Sequence, residues 1–456
     1  MSRAVFWLAA LLILINSSAC DSGGAENDSI RLAAGGKVVS LDPAFAADVA
    51  SQRVCAAFFD TLLEYEYPSL PYRLRPGMLA GMPEISADGL EIYCVLRDDL
   101  FFVADECFGQ RGMEARQVTS ADVVFSFLRI ADGRNHTANY SLIRGKIAGI
   151  DDFYRESSSL PDGDFSCYEK AVEGFEIIND KEFIIRLTRP DPRFLYVLAI
   201  PALGVVSRTA CLYYDDVSGH PVGSGPFILE SWIREYKITM VRNPEYRLQY
   251  FPEAELEKDK NRPLPLAERI ECFCIRQNQS AWLLFLQGGL DVFPLARENA
   301  DVVVRGESGS VSCVSGLAEK GIIPLRSPGL EIQYTGFNMG HPVLGNNVLL
   351  RRALSMALNR ERLAEFYEGL VQPAGSPLPP GVPEMPEDFY SPWCVYDIEA
   401  ASKLLAAAGY PGGTDPVTGK SLHLTLDLNG NSSLHRQIGE MFASDMAKIG
   451  LRWSRF

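Results

Sequence analysis

The stretch LHLTLDLNGNSSLHRQIGEMFASDMAKIGLRW, residues 422–453, changes its hydrophobic period twice. Leu422, Leu424, Leu426 and Leu428 alternate, as a half-buried strand does. Ile438, Met441, Phe442, Met446 and Ile449 then recur at helical spacing, and Gly450 supplies a left-handed helix stop. Leu451 and Trp453 begin a second alternation. Strand, helix and strand in this order form a right-handed crossover unit, and a chain that closes on such a unit is α/β.

The segments upstream continue the pattern. DIEAASKLLAAAGYPGG (397–413) reads as a helix with Asp397 as N-cap, Leu404 and Leu405 inside, and Gly409 then Pro411 as the stop. NVLLRRALSMALNRERLAEFYEGL (347–370) reads as two helical segments. Leu349, Leu350, Ala353, Leu354, Ala357 and Leu358 face in, and Asn359 caps the second segment. VTSADVVFSFLRIAD (118–132) carries a capping box. Thr119 is the N-cap, Asp122 sits at N3, and Val123, Val124, Phe127 and Leu128 form the stripe. IRLAAGGKVVSL (30–41) and RIECFCIRQ (269–277) are strand-like. GFEIINDKEFIIRL (174–187) is a hairpin around Asn179-Asp180, and GSGPFILESW with KITMVRNPEY is a second strand pair. QSAWLLFLQGG (279–289) is a helix ending at Gly288.

The chain has 456 residues, enough for two or three subdomains, and 47% apolar with 22% charged residues describes a globular protein. A net charge of −15 argues against a nucleic-acid partner. The first 20 residues, MSRAVFWLAALLILINSSAC, read as a signal peptide with lipoprotein-like cleavage before Cys20. Residues 21–29, DSGGAENDS, form a flexible tether, as a lipid-anchored protein needs. Ser17 departs from the usual lipobox, so plain secretion stands as the alternative to acylation of Cys20. FLYVLAIPALGVV (194–206) is too short for a membrane span and is broken by Pro201. Cys272 and Cys274 share one face of a strand without a second Cys or His pair nearby, so they read as small buried apolar residues.

Chemistry-bearing motifs are scarce. There is no G-x-S-x-G elbow and no H-E-x-x-H, and the five histidines are scattered. TDPVTGKS (414–421) lacks the first glycine of a phosphate loop and lies between a helix and a strand, so it reads as a surface turn. The expectation is a protein that is not an enzyme and carries neither cofactor nor metal.

Seven stretches in order, VVSLDPAFAADVASQRV, TSADVVFSFLRIAD, GSGPFILESWIREYKITMVRNPEYR, LRRALSMALNRERL, PAGSPLPPG, DIEAASKLLAAAGYPGG and the closing 422–453, resemble the family-5 extracellular solute-binding proteins that serve ABC importers. The resemblance implies a two-lobed periplasmic-binding-protein type II fold with an extra inserted domain. It puts lobe I at 30–60 and 175–268, the inserted domain at 61–174, and lobe II at 269–456. It also implies that lobe II is incomplete, with the C-terminal part missing: the acidic residue that grips a peptide's amino terminus and the strand returning to lobe I would follow residue 456. An oligopeptide held between closing lobes is the implied ligand, with nickel or another small solute, or a peptide-sensing role, as alternatives and a secreted hydrolase behind them. Permease subunits are the implied partners of a monomer that is periplasmic or at the cell surface. Positions matching ligand contacts are Ala47, Asp48 and Val49 after SLDP, Tyr140 in HTANYS, and His435 in NSSLHR. Each has a plainer reading: Asp48 as a helix-start residue, Tyr140 as a packed loop aromatic, His435 as a surface residue in a first helical turn.

Overall fold

The computed structural model describes residues 29–66, 73–214, 216–250, 262–305, 311–325, 331–379, 389–428 and 433–453. Cys20 with its signal peptide and the tether up to residue 28 lies outside them, as does the end of PAGSPLPPG. The chain divides into two compact units, one ending at Phe293 and one beginning at Pro294.

The first unit holds two four-stranded sheets. In chain order its strands are β1 (Ser29–Ala33), β2 (Leu63–Tyr65), β3 (Leu74–Pro76), β4 (Glu84–Ile85), β5 (Glu91–Val95), β6 (Phe175–Ile177), β7 (Glu182–Arg186), β8 (Phe227–Ile233), β9 (Lys237–Arg242) and β10 (Arg269–Phe273). One sheet runs β1-β10-β9-β8, with β1 parallel to β10 and the rest antiparallel. The other runs β4-β5-β7-β6 and is antiparallel throughout. β2 and β3 pair separately.

Two expected boundaries fall inside these sheets. Residue 269 begins β10, which sits between β1 and β9, and the unit continues to Phe293, where Asp291 accepts from Arg31 N–H at 2.7 Å and from its guanidinium at 2.6 Å. The β6–β7 hairpin joins β5 of the second sheet, not the sheet of β8 and β9, so the 174/175 division cuts a sheet. Alternation identifies a hairpin but carries no information about which sheet edge it extends. β1 also stops at Ala33, earlier than expected, because Gly35 turns the chain at φ 73°.

Helix α1 (Val49–Phe58) packs into the core of the β1–β10 sheet, and helix α2 (Ser120–Ala131) lies between that core and the core of the β4–β7 sheet. Val123, Phe127 and Leu128 of α2 are buried in the core of the β4–β7 sheet, and Phe125 in the core of the β1–β10 sheet. The sequence stripe showed only the first of these faces. α2 starts as read: the Asp122 carboxylate accepts from Thr119 N–H at 3.0 Å and from its hydroxyl at 2.8 Å. Helix α3 (Ile150–Ser157) packs beside α2, and helix α4 (Asn278–Leu286) ends ahead of Gly288, whose φ is 73°. Cys272 is buried and Cys274 packs against the same core, both as free thiols; burial pushes the Cys272 thiol up to about 11. Phe194–Val197 is one short helical turn within a core, and no helix among the described residues is long and apolar enough to cross a membrane.

The second unit carries strands β11 (Val303–Arg305), β12 (Val311–Cys313), β13 (His423–Leu424) and β14 (Arg452–Trp453), and helices α5 (Val348–Ala357), α6 (Arg360–Phe366), α7 (Ile398–Ala407) and α8 (Ser433–Ala447). β13 and β14 pair in parallel across α8, the crossover that the closing stretch predicts. Leu422 and Leu424 are buried while His423 and Thr425 are exposed. Asn359 caps α6 through Arg362 N–H at 2.9 Å, and Asp397 caps α7 through Ala400 N–H at 2.8 Å. Leu350, Ala353, Leu354, Ala357, Leu405, Met446 and Ile449 form one core. At roughly 1.5–3 kcal/mol for each large side chain, this burial is what holds α5, α7 and α8 together. TDPVTGKS is a turn: Asp415 accepts from Val417 N–H at 2.8 Å and Thr418 N–H at 3.2 Å.

Candidate functional site

The segment Asp42–Val49 links the two cores of the first unit. Asp42 caps the turn by accepting from Ala44 N–H at 3.0 Å, and Pro43 sits at its first position. Ala44 is buried in the core of the β4–β7 sheet and Ala46 in that of the β1–β10 sheet. Phe45 and Val49 are 39% and 67% exposed, and Ala47 is exposed between them. A short apolar rim of alternate residues, 45, 47 and 49, therefore faces outward. Among the described residues, Ala47 C=O has no donor, and the N–H groups of Asp48 and Val49 have no acceptor.

What fixes this segment comes from residues 129–139. The Arg129 guanidinium meets the Asp42 carboxylate through two bonds of 2.9 and 2.7 Å, with both side chains nearly shut off from water. Burial works against the guanidinium's charge, but the Asp42 carboxylate outweighs it and holds the Arg129 pKa above its usual value. Asn139, 5% exposed, donates from Nδ2 to Pro43 O at 3.1 Å and to Ala44 O and Ala46 O at 3.2 Å each. The Thr137 hydroxyl donates to Ala44 O, and Gln52 Nε2 donates to Ala46 O at 3.1 Å.

The named candidates fall as follows. Asp48 is the N-cap of α1 and accepts from Ser51 N–H at 2.8 Å. Ala47 and Val49 lie on the exposed rim. Tyr140 follows Asn139; its hydroxyl bonds the Asp151 carboxylate and its ring stacks on Tyr154 at 4.3 Å. The short helical turn that holds Tyr140 packs against the turn Pro43–Phe45, so the structure brings these candidates into one neighbourhood. His435 lies in the first turn of α8 in the other unit and is half-buried. Arg129, Thr137 and Asn139 were not visible as site residues. Each looks like an ordinary helix or loop residue until the fold brings it to the SLDP turn.

Catalytic arrangements are sparse here. The cavity beside Asp42, lined by Phe59, Ser207, Cys211 and His220, has a volume of about 10 Å³, room for one water. His220 Nε2 lies 2.8 Å from Asp105, which also accepts from the Tyr214 hydroxyl at 2.8 Å. No group of His, Cys, Asp and Glu among the described residues could hold a metal ion.

Residues 73–454 match the family described as bacterial extracellular solute-binding proteins, family 5. The glutathione-binding protein GsiB of Salmonella typhi is 24% identical over 448 residues, which cover 98% of this chain and 72% of that protein. Among solved structures, DppA from Helicobacter pylori in complex with the peptide STSA superposes with a TM-score of 0.64 at 21% identity, over 94% of this chain and 73% of that one. The murein tripeptide binding protein MppA of Escherichia coli gives 0.65 at 21% identity, over 95% and 75%. These likenesses show the two-lobed type II fold of periplasmic binding proteins. The chain belongs to the family-5 bacterial extracellular solute-binding proteins.

Proposed function

We propose that this protein captures oligopeptides outside the cytoplasm and delivers them to the permease of an ABC importer. The observation that carries the reading is the rim at Phe45, Ala47 and Val49 with unpartnered backbone at Ala47, Asp48 and Val49. An extended peptide can satisfy such groups by adding its own backbone, with alternate side chains contributing selectivity. Tyr140 contributes ring surface, because its hydroxyl is already engaged by Asp151. His435 is the candidate contact from the second unit. The unit ending at Phe293 holds the first lobe with its insert, and the chain from Pro294 holds the second. Cys20 serves as the lipid anchor, so the mature protein partitions into detergent and Cys20→Ser moves it to the aqueous phase.

The test is native mass spectrometry of the protein purified from cells, followed by calorimetric titration with the species released. Short peptides support the reading; a co-purified metal or sugar alone overturns it. Glutathione is a second reading, favoured by the likeness to the glutathione-binding protein GsiB. It belongs in the same titration, and binding of glutathione with rejection of α-linked tripeptides would replace the first reading.

A further inference from the structure

We infer that Asn139 is a positioning residue that sets which side chains the 43–49 segment presents to a ligand. The inference rests on the peptide reading above. A buried carboxamide usually divides its hydrogens among separate partners; here Nδ2 faces three carbonyls of a single turn, those of Pro43, Ala44 and Ala46. The Thr137 hydroxyl adds a donor at Ala44 O, and Gln52 adds one at Ala46 O. With these carbonyls drawn inward, Ala44 and Ala46 enter the two cores and Phe45 and Ala47 turn out. Buried and exposed residues alternate from Ala44 to Ala47, so a slip of one residue through the turn would exchange the two sets. Ala44 and Ala46 would reach the rim, and the outward N–H and C=O groups would reverse. Arg129 on Asp42, with the bonds of Phe45 N–H and Ala46 N–H to Asp42 O, fixes where the turn starts; of the side chains that reach its outer carbonyls, Asn139 alone spans Pro43, Ala44 and Ala46.

The experiment is a double-mutant cycle between protein and ligand. A random tripeptide library is passed over the full-length protein. Its best-retained member is resynthesised with an N-methyl group at each amide in turn, and titrated against wild type and Asn139→Ala. In the wild type, N-methylation of the amide that pairs with the rim should weaken binding about tenfold, the worth of one hydrogen bond. In Asn139→Ala the parent peptide should weaken by about as much, and methylation should then cost little more. A substitution that only loosened the fold would lower the affinity of parent and methylated peptides by equal factors. That additive result, or unchanged affinity, overturns the inference while the peptide reading stands. Retention of no tripeptide by wild type overturns the peptide reading itself. If Asn139→Ala lacks a folded circular-dichroism spectrum, Thr137→Val runs the same cycle, since it removes one of two donors at Ala44 O. A non-additive loss in the same direction is expected there, and an additive one counts against the inference.

Discussion

Asp42 and Asp445 make an instructive pair. Each is a carboxylate about 2% exposed, and each ties together chain segments more than 80 residues apart. Asp42 in the first unit is closed in by Arg129, itself only 12% exposed. Asp445 in the second accepts from Asn359 N–H at 3.0 Å at the start of α6. Its cations, Arg362 at 3.3 Å and Lys448 at 2.8 Å, are 41% and 39% exposed. Equal burial of the acid thus conceals unequal dependence on the partner. Water can replace the cations of Asp445, but not the guanidinium of Arg129.

The most damaging way to break this contrast is Arg129→Met. It leaves Asp42 charged, buried and unpaired, and should cost the first unit about 3–5 kcal/mol. Hydrogen exchange resolved by peptide would show the loss confined to residues before 294. A loss under about 1 kcal/mol would mean that solvent reaches Asp42 after all.

Gly450→Ala tests the second unit through its backbone. Gly450 sits at φ 89°, and a Cβ there would lie 2.4 Å from Gly412 O. Strain and close approach together should remove about 2–3 kcal/mol, read as earlier denaturant unfolding of the α7–α8 region. Tolerance of alanine would show that the PGG turn yields to β14.

Asp445→Asn should be milder. The amide oxygen can still accept from Asn359 N–H, so only the exposed pairings are lost, about 1 kcal/mol. The deficit should shrink in 1 M salt, where wild type loses the same screened attraction. A salt-independent loss would place Asp445 in the class of Asp42.

Asp132 sharpens the comparison through pH, its contribution being fully present near neutrality and lost in acid. It is buried, but its cation is two residues away: Arg134 bonds it at 3.0 and 2.7 Å, and the Tyr168 hydroxyl at 2.9 Å. Burial alone would raise its pKa; the Arg134 bonds prevail and hold it below the usual aspartate range. A depressed carboxyl contributes stability above its unfolded pKa and loses it as pH falls through the folded one. Stability of wild type and Asp132→Asn should therefore follow parallel courses from pH 7 to 5 and converge below pH 4. Convergence already at pH 6 would contradict the assigned direction.

Much of the second unit was legible. The caps at Asn359 and Asp397, the alternation at Leu422 and Leu424, and the stop at Gly450 are local features. Each is decided by a few neighbouring backbone groups. Gly413 was legible only as part of a helix stop; a Cβ on it would lie 2.3 Å from Gly450 O, a contact no local pattern announces. In the first unit the elements were legible and their partners were not. β10 reads as a strand but not as one lying between β1 and β9, and the β6–β7 hairpin reads correctly but was grouped with the wrong sheet. For the site, SLDP marked the turn and Asp48 the cap, while nothing around Arg129, Thr137 or Asn139 showed where their hydrogens would go.

Periods of two and 3.6, caps, glycines and charge are properties of neighbouring residues. The sequence alone therefore determined the α/β class, the order of the elements, the closing crossover and, through seven ordered motifs, the family. Sheet order, the two cores that trap Ala44 and Ala46 on opposite sides, and the burial of Arg129 against Asp42 required tertiary structure. The contacts that decide them, β1 with β10, β5 with β7 and Asp42 with Arg129, join segments roughly 90 or more residues apart, whose pairing is chosen by the joint burial of whole faces rather than by any local preference.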